Sequence, residues 1–230
     1  MTASNPTFRQ RMELDKFFML LVGLIALLVI VPIIDDDRWG APVLGIITML
    51  TLVLALRTLA HERATLIFAT SLGVIAYVIS TGSYFMKASP LLALPFQLAF
   101  YGFVNLSILR DVLVDERVNA DTICGGICVY LLLGLNWSII FAAIELIARG
   151  SLIATNSFEI GGVTSPMDFV YFSFVTLTTL GYGDIVPVSN AARSATIGCS
   201  VSGVLFIAVF IGRLVGLTTS KSYAKHHEHH

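Results

Sequence analysis

Six consecutive residues, Thr179, Leu180, Gly181, Tyr182, Gly183 and Asp184, set two glycines at alternate positions between a threonine and an aspartate. Successive backbone carbonyls can all face one axis only if alternate residues adopt left-handed dihedrals, which glycine accepts without steric cost. Gly181 and Gly183 meet that need, while Leu180 and Tyr182 turn their side chains away and brace the strand. A row of such carbonyls, with the Thr179 hydroxyl added at its inner end, can replace the hydration shell of a potassium-sized cation. One chain supplies one wall of such a cage. A single copy per chain therefore predicts four subunits around a closed axis, a homotetramer.

The residues just before the strand predict the element that aims it. Ser165 is placed to cap a helix whose first residue is Pro166, with Asp168 as the acidic member of a capping box. That helix should run from 166 to about 178 and stop where Gly181 and Gly183 break it. With its N-terminus outward, the negative end of its macrodipole points at the membrane centre, where it favours a cation. The whole segment 149–194 is too polar and glycine-rich to cross a bilayer as one helix, yet its middle, 167–179, is apolar and aromatic. Non-helical backbone is tolerated at membrane depth only where protein or a water-filled cavity covers it, so the pattern is a re-entrant loop.

The rest of the chain reads as its membrane frame. Of 230 residues 56% are hydrophobic and 13% charged, and the mean hydropathy is +0.85, a composition that belongs in a bilayer. Apolar runs occur at 17–34, 41–56, 64–86, 90–109, 122–147 and 195–212, the last continuing to about 217. The first has 18 residues, which at 1.5 Å per residue spans ~27 Å of the ~30 Å hydrocarbon core. It lacks a small-residue cleavage site and reads as a retained anchor. The fold class expected is an all-α membrane protein, with six transmembrane helices and a re-entrant helix and strand. The expected divisions are 1–16 as a cytoplasmic N-terminus, 17–116 as a four-helix module, 117–220 as the unit carrying the loop, and 221–230 as a short cytoplasmic tail.

Charge sets orientation and excludes other classes. With both termini cytoplasmic, ten basic residues lie inside, leaving only Arg38, Lys87, Arg149 and Arg193 outside; this places the loop on the outer side of a multi-pass cell-membrane protein. A formal net charge of -1 offers no basic field for nucleic acid. Asp35, Asp36 and Asp37 read as a solvated turn, and the run from His226 to His230 as a disordered tail. Cys124, Cys128 and Cys199 sit in apolar runs and read as packing residues. No cluster pairs a nucleophile with a base or gathers metal ligands, so an enzyme is not expected, nor is a cofactor beyond the permeant potassium ion. Membrane lipids and further copies of the chain are the expected partners.

The run from Thr178 to Asp184 resembles the filter signature of the potassium channel family, whose usual form has valine where this chain has Leu180. The resemblance covers roughly the last hundred residues. It implies passive, potassium-selective conduction; a non-selective cation channel and a non-conducting regulatory subunit are the alternatives.

By that resemblance, two adjacent tryptophans common on the helix before the filter are replaced here by Tyr171 and Phe172. We expect the Tyr171 hydroxyl to bond Asp184, and Phe172 to pack against Tyr182 without a donor to offer it. Some bacterial members carry a glutamate behind the filter at the position of Val175. Glu145 matches an acidic residue that braces the loop after the filter; the alternative is an interfacial carboxylate in water. Gly203 falls on a glycine that lets the inner helix bend, or else admits a close helix neighbour. Arg193 matches a position often basic in such channels, or is a plain interfacial charge. Ser200, Val204, Ile207, Ile211 and Val215 share one helical face, which would line the inner cavity. Ile207, Ile211 or Val215 would then form a dewetting gate, unless the stripe is helix packing. Voltage-gated relatives carry arginines at every third position of the fourth span, but residues 90–109 hold no basic residue, so no conventional voltage sensor is expected.

Overall fold

A computed structural model of the chain describes residues 16–33, 63–85, 90–114, 119–155, 161–163 and 165–227. The expected second span at 41–56, the acidic turn at Asp35 to Asp37 and the last three residues lie outside them. The described elements are helices α1 (Lys16–Ile33), α2 (Arg63–Phe85), α3 (Leu94–Val114), α4 (Ala120–Ile147), α5 (Pro166–Leu177) and α6 (Asn190–His227). A single 3-10 turn (Pro90–Leu92) precedes α3, and three short strands, β1 (Leu152–Ala154), β2 (Gly161–Gly162) and β3 (Ile185–Pro187), flank α5.

Among the described residues, three helices are long and apolar enough to cross a membrane: Leu94–Val114, Ala120–Ile147 and Asn190–Leu217. The apolar stretches Phe17–Val29, Ile67–Ser83 and Pro166–Leu177 are shorter. Of the boundaries that move from those read in the sequence, two have a plain physical reason. The fourth run begins as a 3-10 turn and becomes α-helical only at Leu94, where Pro95 sits in the first turn and sacrifices no hydrogen bond there. At the other end of the chain, the expected disordered tail is helical as far as His227, because nothing between Gly216 and His227 breaks the helix.

The inner core is built by α4, against which α1 and α3 pack. Phe100, Val104, Ile108 and Val112 recur every fourth residue of α3 and are all buried, forming the ridge that meets α4. Phe17, Leu20, Leu21 and Leu24 bury the matching stripe of α1, leaving Phe18, Met19, Val22 and Ile25 outward. Asp121, in the first turn of α4, accepts a hydrogen bond from the Phe17 amide at 3.0 Å. It thereby satisfies an orphan donor at the start of α1. Asn119 caps α4 by accepting from the Thr122 amide at 2.7 Å. Arg213 of α6 donates to the carbonyls of Val112 and Leu113 at the end of α3, where a cation also complements the helix dipole.

A second core lies at the other end of α4 and holds the loop. Phe141, Leu152, Val163, Phe169, Phe172, Leu177, Ile185, Ala192 and Cys199 form one buried cluster. The strands add a feature that the all-α expectation missed, a three-stranded antiparallel sheet of order β2-β1-β3. Its residue pairs include Ala154 with Ile185 and Ile153 with Val186. The sheet ties the segment after α4 to the segment that follows the glycine-rich strand.

Candidate functional site

Helix α5 ends where the candidate strand begins. Ser165, in extended conformation, accepts from the Met167 amide at 3.2 Å, and Pro166 opens the helix. Asp168 lies in its first turn. At the other end the Thr178 amide closes on Phe174 O at 3.0 Å and the Thr179 amide on Thr176 O at 3.0 Å. The amides of Leu180 and Gly181 both turn back to Val175 O, at 2.9 and 3.2 Å. Val175 therefore acts through its carbonyl, while its side chain is buried.

The backbone of the strand alternates in hand. Positive φ occurs at Thr179 (59°), Gly181 (58°) and Gly183 (77°), and at neither Leu180 nor Tyr182. Such alternation turns successive carbonyls to a common side, and the Leu180 and Gly181 amides are bonded back to α5. For a β-branched residue the Thr179 conformation is an outlier, of the kind that surrounding structure has to impose. In the single chain all five residues from Thr179 to Gly183 are exposed, with Leu180 at 55% and Tyr182 at 66%.

The outer end is fastened from several directions. The Tyr171 hydroxyl donates to Asp184 Oδ2 at 2.6 Å, and Asp184 Oδ1 accepts from the Ile185 amide at 3.0 Å. Thr155, which follows β1, donates its amide to Asp184 O at 2.7 Å. Its hydroxyl stands 3.0 Å from Gly183 O and 3.1 Å from Asp184 O. Glu145 is buried at the end of α4 and accepts from the Gly150 amide at 2.6 Å and the Leu152 amide at 2.9 Å. Its brace is thus one strand removed: it fixes the start of β1, and β1 fixes β3.

Phe172 finds a partner on α4. It packs edge-on against Phe141, with ring centroids 4.8 Å apart, and is only 5% exposed. Its ring is committed to the core beside α4, while Tyr182 of the same chain stays open.

Gly203 lies in a continuous helix. A Cβ there would stand 2.3 Å from Leu177 O, at the end of α5. The close-neighbour reading of this glycine is the one the geometry supports. Ser200 is partly buried, whereas Val204, Ile207, Ile211 and Val215 are exposed in the single chain. The Arg193 side chain donates to Pro187 O at 3.4 Å.

Two residues that the sequence reading overlooked also serve the site. Tyr130 donates its hydroxyl to Leu177 O at 3.3 Å; a lone phenol within an apolar span was a usable signal, because a buried Tyr hydroxyl needs a partner. Thr155 had no such signal, since its contacts lie 28 and 29 residues away. Among the described residues, no group of three or more His, Cys, Asp or Glu could hold a metal ion.

Residues 122–220 match the family described as Ion channel. The chain is 44% identical over 54 residues to the voltage-gated potassium channel Kch of Escherichia coli, covering 24% of this chain and 13% of that protein. It is 42% identical over 71 residues to the potassium voltage-gated channel protein Shal of Drosophila melanogaster, covering 31% and 11%. It is 36% identical over 61 residues to the two pore potassium channel b of Oryza sativa, covering 26% and 18%. The chain thus spans less than a fifth of the length of each of these relatives. No solved structure matches.

The similarity of this chain to ion channels indicates a channel rather than an enzyme. Residues 122–220 match an ion channel domain, and the relatives of similar sequence are potassium channels.

Proposed function

We propose that this chain is one subunit of a homotetrameric, potassium-selective channel that conducts passively across the cell membrane. Potassium is coordinated by the carbonyls of Thr179, Leu180, Gly181, Tyr182 and Gly183 and by the Thr179 hydroxyl. The observation that carries the reading is the alternation of φ at Thr179, Gly181 and Gly183, with the Leu180 and Gly181 amides tied back to Val175 O. Such a strand offers carbonyls of fixed direction in place of water.

The exposed faces support assembly. Only 11% of the apolar window of α6 is buried, against 44% of that of α4, so α6 has room for neighbours around an axis. The exposed stripe of Val204, Ile207, Ile211 and Val215 would line the cavity between four copies. The exposed Leu180 and Tyr182 side chains would meet adjoining subunits. Six spans, with both termini cytoplasmic, follow from the apolar runs and the placement of basic residues. In α3 the basic residue is Arg110, near the C-terminal end, so the module beside the pore lacks the ladder of arginines that a voltage sensor needs.

Protein purified into liposomes tests the reading. A potassium gradient should drive flux and an equal sodium gradient should not. Flux under both would make the pore non-selective, and flux under neither would make the chain a non-conducting subunit.

The bond between Tyr171 and Asp184 gives a second expected result. Hydrogen bonds to a charged group contribute about 1.5–3 kcal/mol, and this one holds the outer end of the strand. Tyr171→Phe should keep potassium selectivity, yet give currents that decay during sustained recording. Steady wild-type-like currents would show that the bond does not hold the filter in shape.

A further inference from the structure

Thr155 touches the carbonyl strand from outside it. Its hydroxyl lies 3.0 Å from Gly183 O and 3.1 Å from Asp184 O, and its amide is fixed to Asp184 O at 2.7 Å. The position is rigidly set, because Ala154 pairs with Ile185 across the sheet and Glu145 holds the Leu152 amide at the start of β1. Among the described residues, Thr155 supplies the one side-chain donor to a carbonyl between Thr179 and Gly183.

From this geometry we propose that Thr155 is a positioning residue that weakens the outermost cation site by occupying the Gly183 carbonyl. A hydroxyl carries one proton, which is shared here between two acceptors. While it rests on Gly183 O, that oxygen offers less negative charge to a cation, and its direction is set by the donor. When it moves to Asp184 O, the Gly183 carbonyl is released. The side chain thus tunes how readily a potassium ion enters from the outer face, without itself coordinating the ion. The inference rests on the proposed conduction along this strand.

Single channels in planar bilayers test it, with potassium varied separately on each side. Thr155 is exposed, so Thr155→Val removes the proton without opening a cavity, and Thr155→Ala carries the same expectation. The half-saturating potassium concentration for entry from the outer side should fall about fivefold, the factor one ordinary hydrogen bond makes. Entry from the inner side should be unchanged, and Thr155→Ser should behave as wild type. An unchanged outer value in the valine and alanine variants would overturn the proposal. So would equal shifts on both sides, the mark of general loosening, or a serine variant that follows valine. Wild-type channels that fail to pass potassium, or pass sodium equally well, would instead remove the proposed function and this inference with it. A selective wild type with an unresponsive Thr155→Val removes the inference alone.

Discussion

Gly181→Ala is expected to abolish the preference for potassium over sodium. Gly181 has φ 58°, and nothing lies within 4 Å of a Cβ built on it in the single chain. The penalty is therefore torsional rather than a clash. An L-residue in this region costs roughly 1–2 kcal/mol, so four copies around one axis cost roughly 4–8 kcal/mol. That is enough to turn the carbonyls of one coordination layer out of register. The reversal potential between potassium and sodium solutions would read the change. A variant as selective as wild type would mean that the left-handed backbone at Gly181 is not what directs the carbonyls. Thr179 already bears this cost at φ 59°, with its amide held by Thr176 O. A strained residue is retained beside two glycines where the surrounding bonds impose the shape.

Gly203→Ala should damage the protein before it alters gating. The added Cβ would stand 2.3 Å from Leu177 O and 2.9 Å from Leu177 Cδ1. The nearer neighbour is backbone at the end of α5, which also accepts the Tyr130 hydroxyl, so it cannot move aside cheaply. Overpacking of this kind costs about 1–3 kcal/mol per subunit. A lower melting temperature in detergent is expected, together with loss of flux as the end of α5 is pushed toward the strand. If Gly203 were only a bending point, the alanine variant would melt as wild type does and differ in open probability alone. Retained stability with altered gating would thus contradict the packing role.

Much of the site was legible because it rests on local chemistry. The start of α5 is set by Ser165 and Pro166, its end by the approaching glycines, and the strand by residues whose torsional freedom is visible in their names. The hydrogen bond from Tyr171 to Asp184 joins residues 13 apart, and it was the resemblance to the potassium channel family, with a tryptophan common at that position, that suggested it. The small sheet was not legible. Its strands have three, two and three residues, too few for an alternating pattern, and their pairing depends on how α4 and α5 bring them together. The same distance in sequence hid Thr155 and the indirect route by which Glu145 reaches β3. The contact of Phe172 with Phe141 was hidden for the same reason, since the two rings meet only after α4 folds against α5.

The central claim is that the strand from Thr179 to Gly183 selects potassium. The most direct measurement is the reversal potential of the purified wild-type channel in a planar bilayer, with potassium on one side and sodium on the other. A permeability ratio above ten displaces the reversal potential from zero by more than about 59 mV, and the account predicts at least that displacement toward the potassium equilibrium. A reversal potential near zero, with current flowing in both directions, would contradict it.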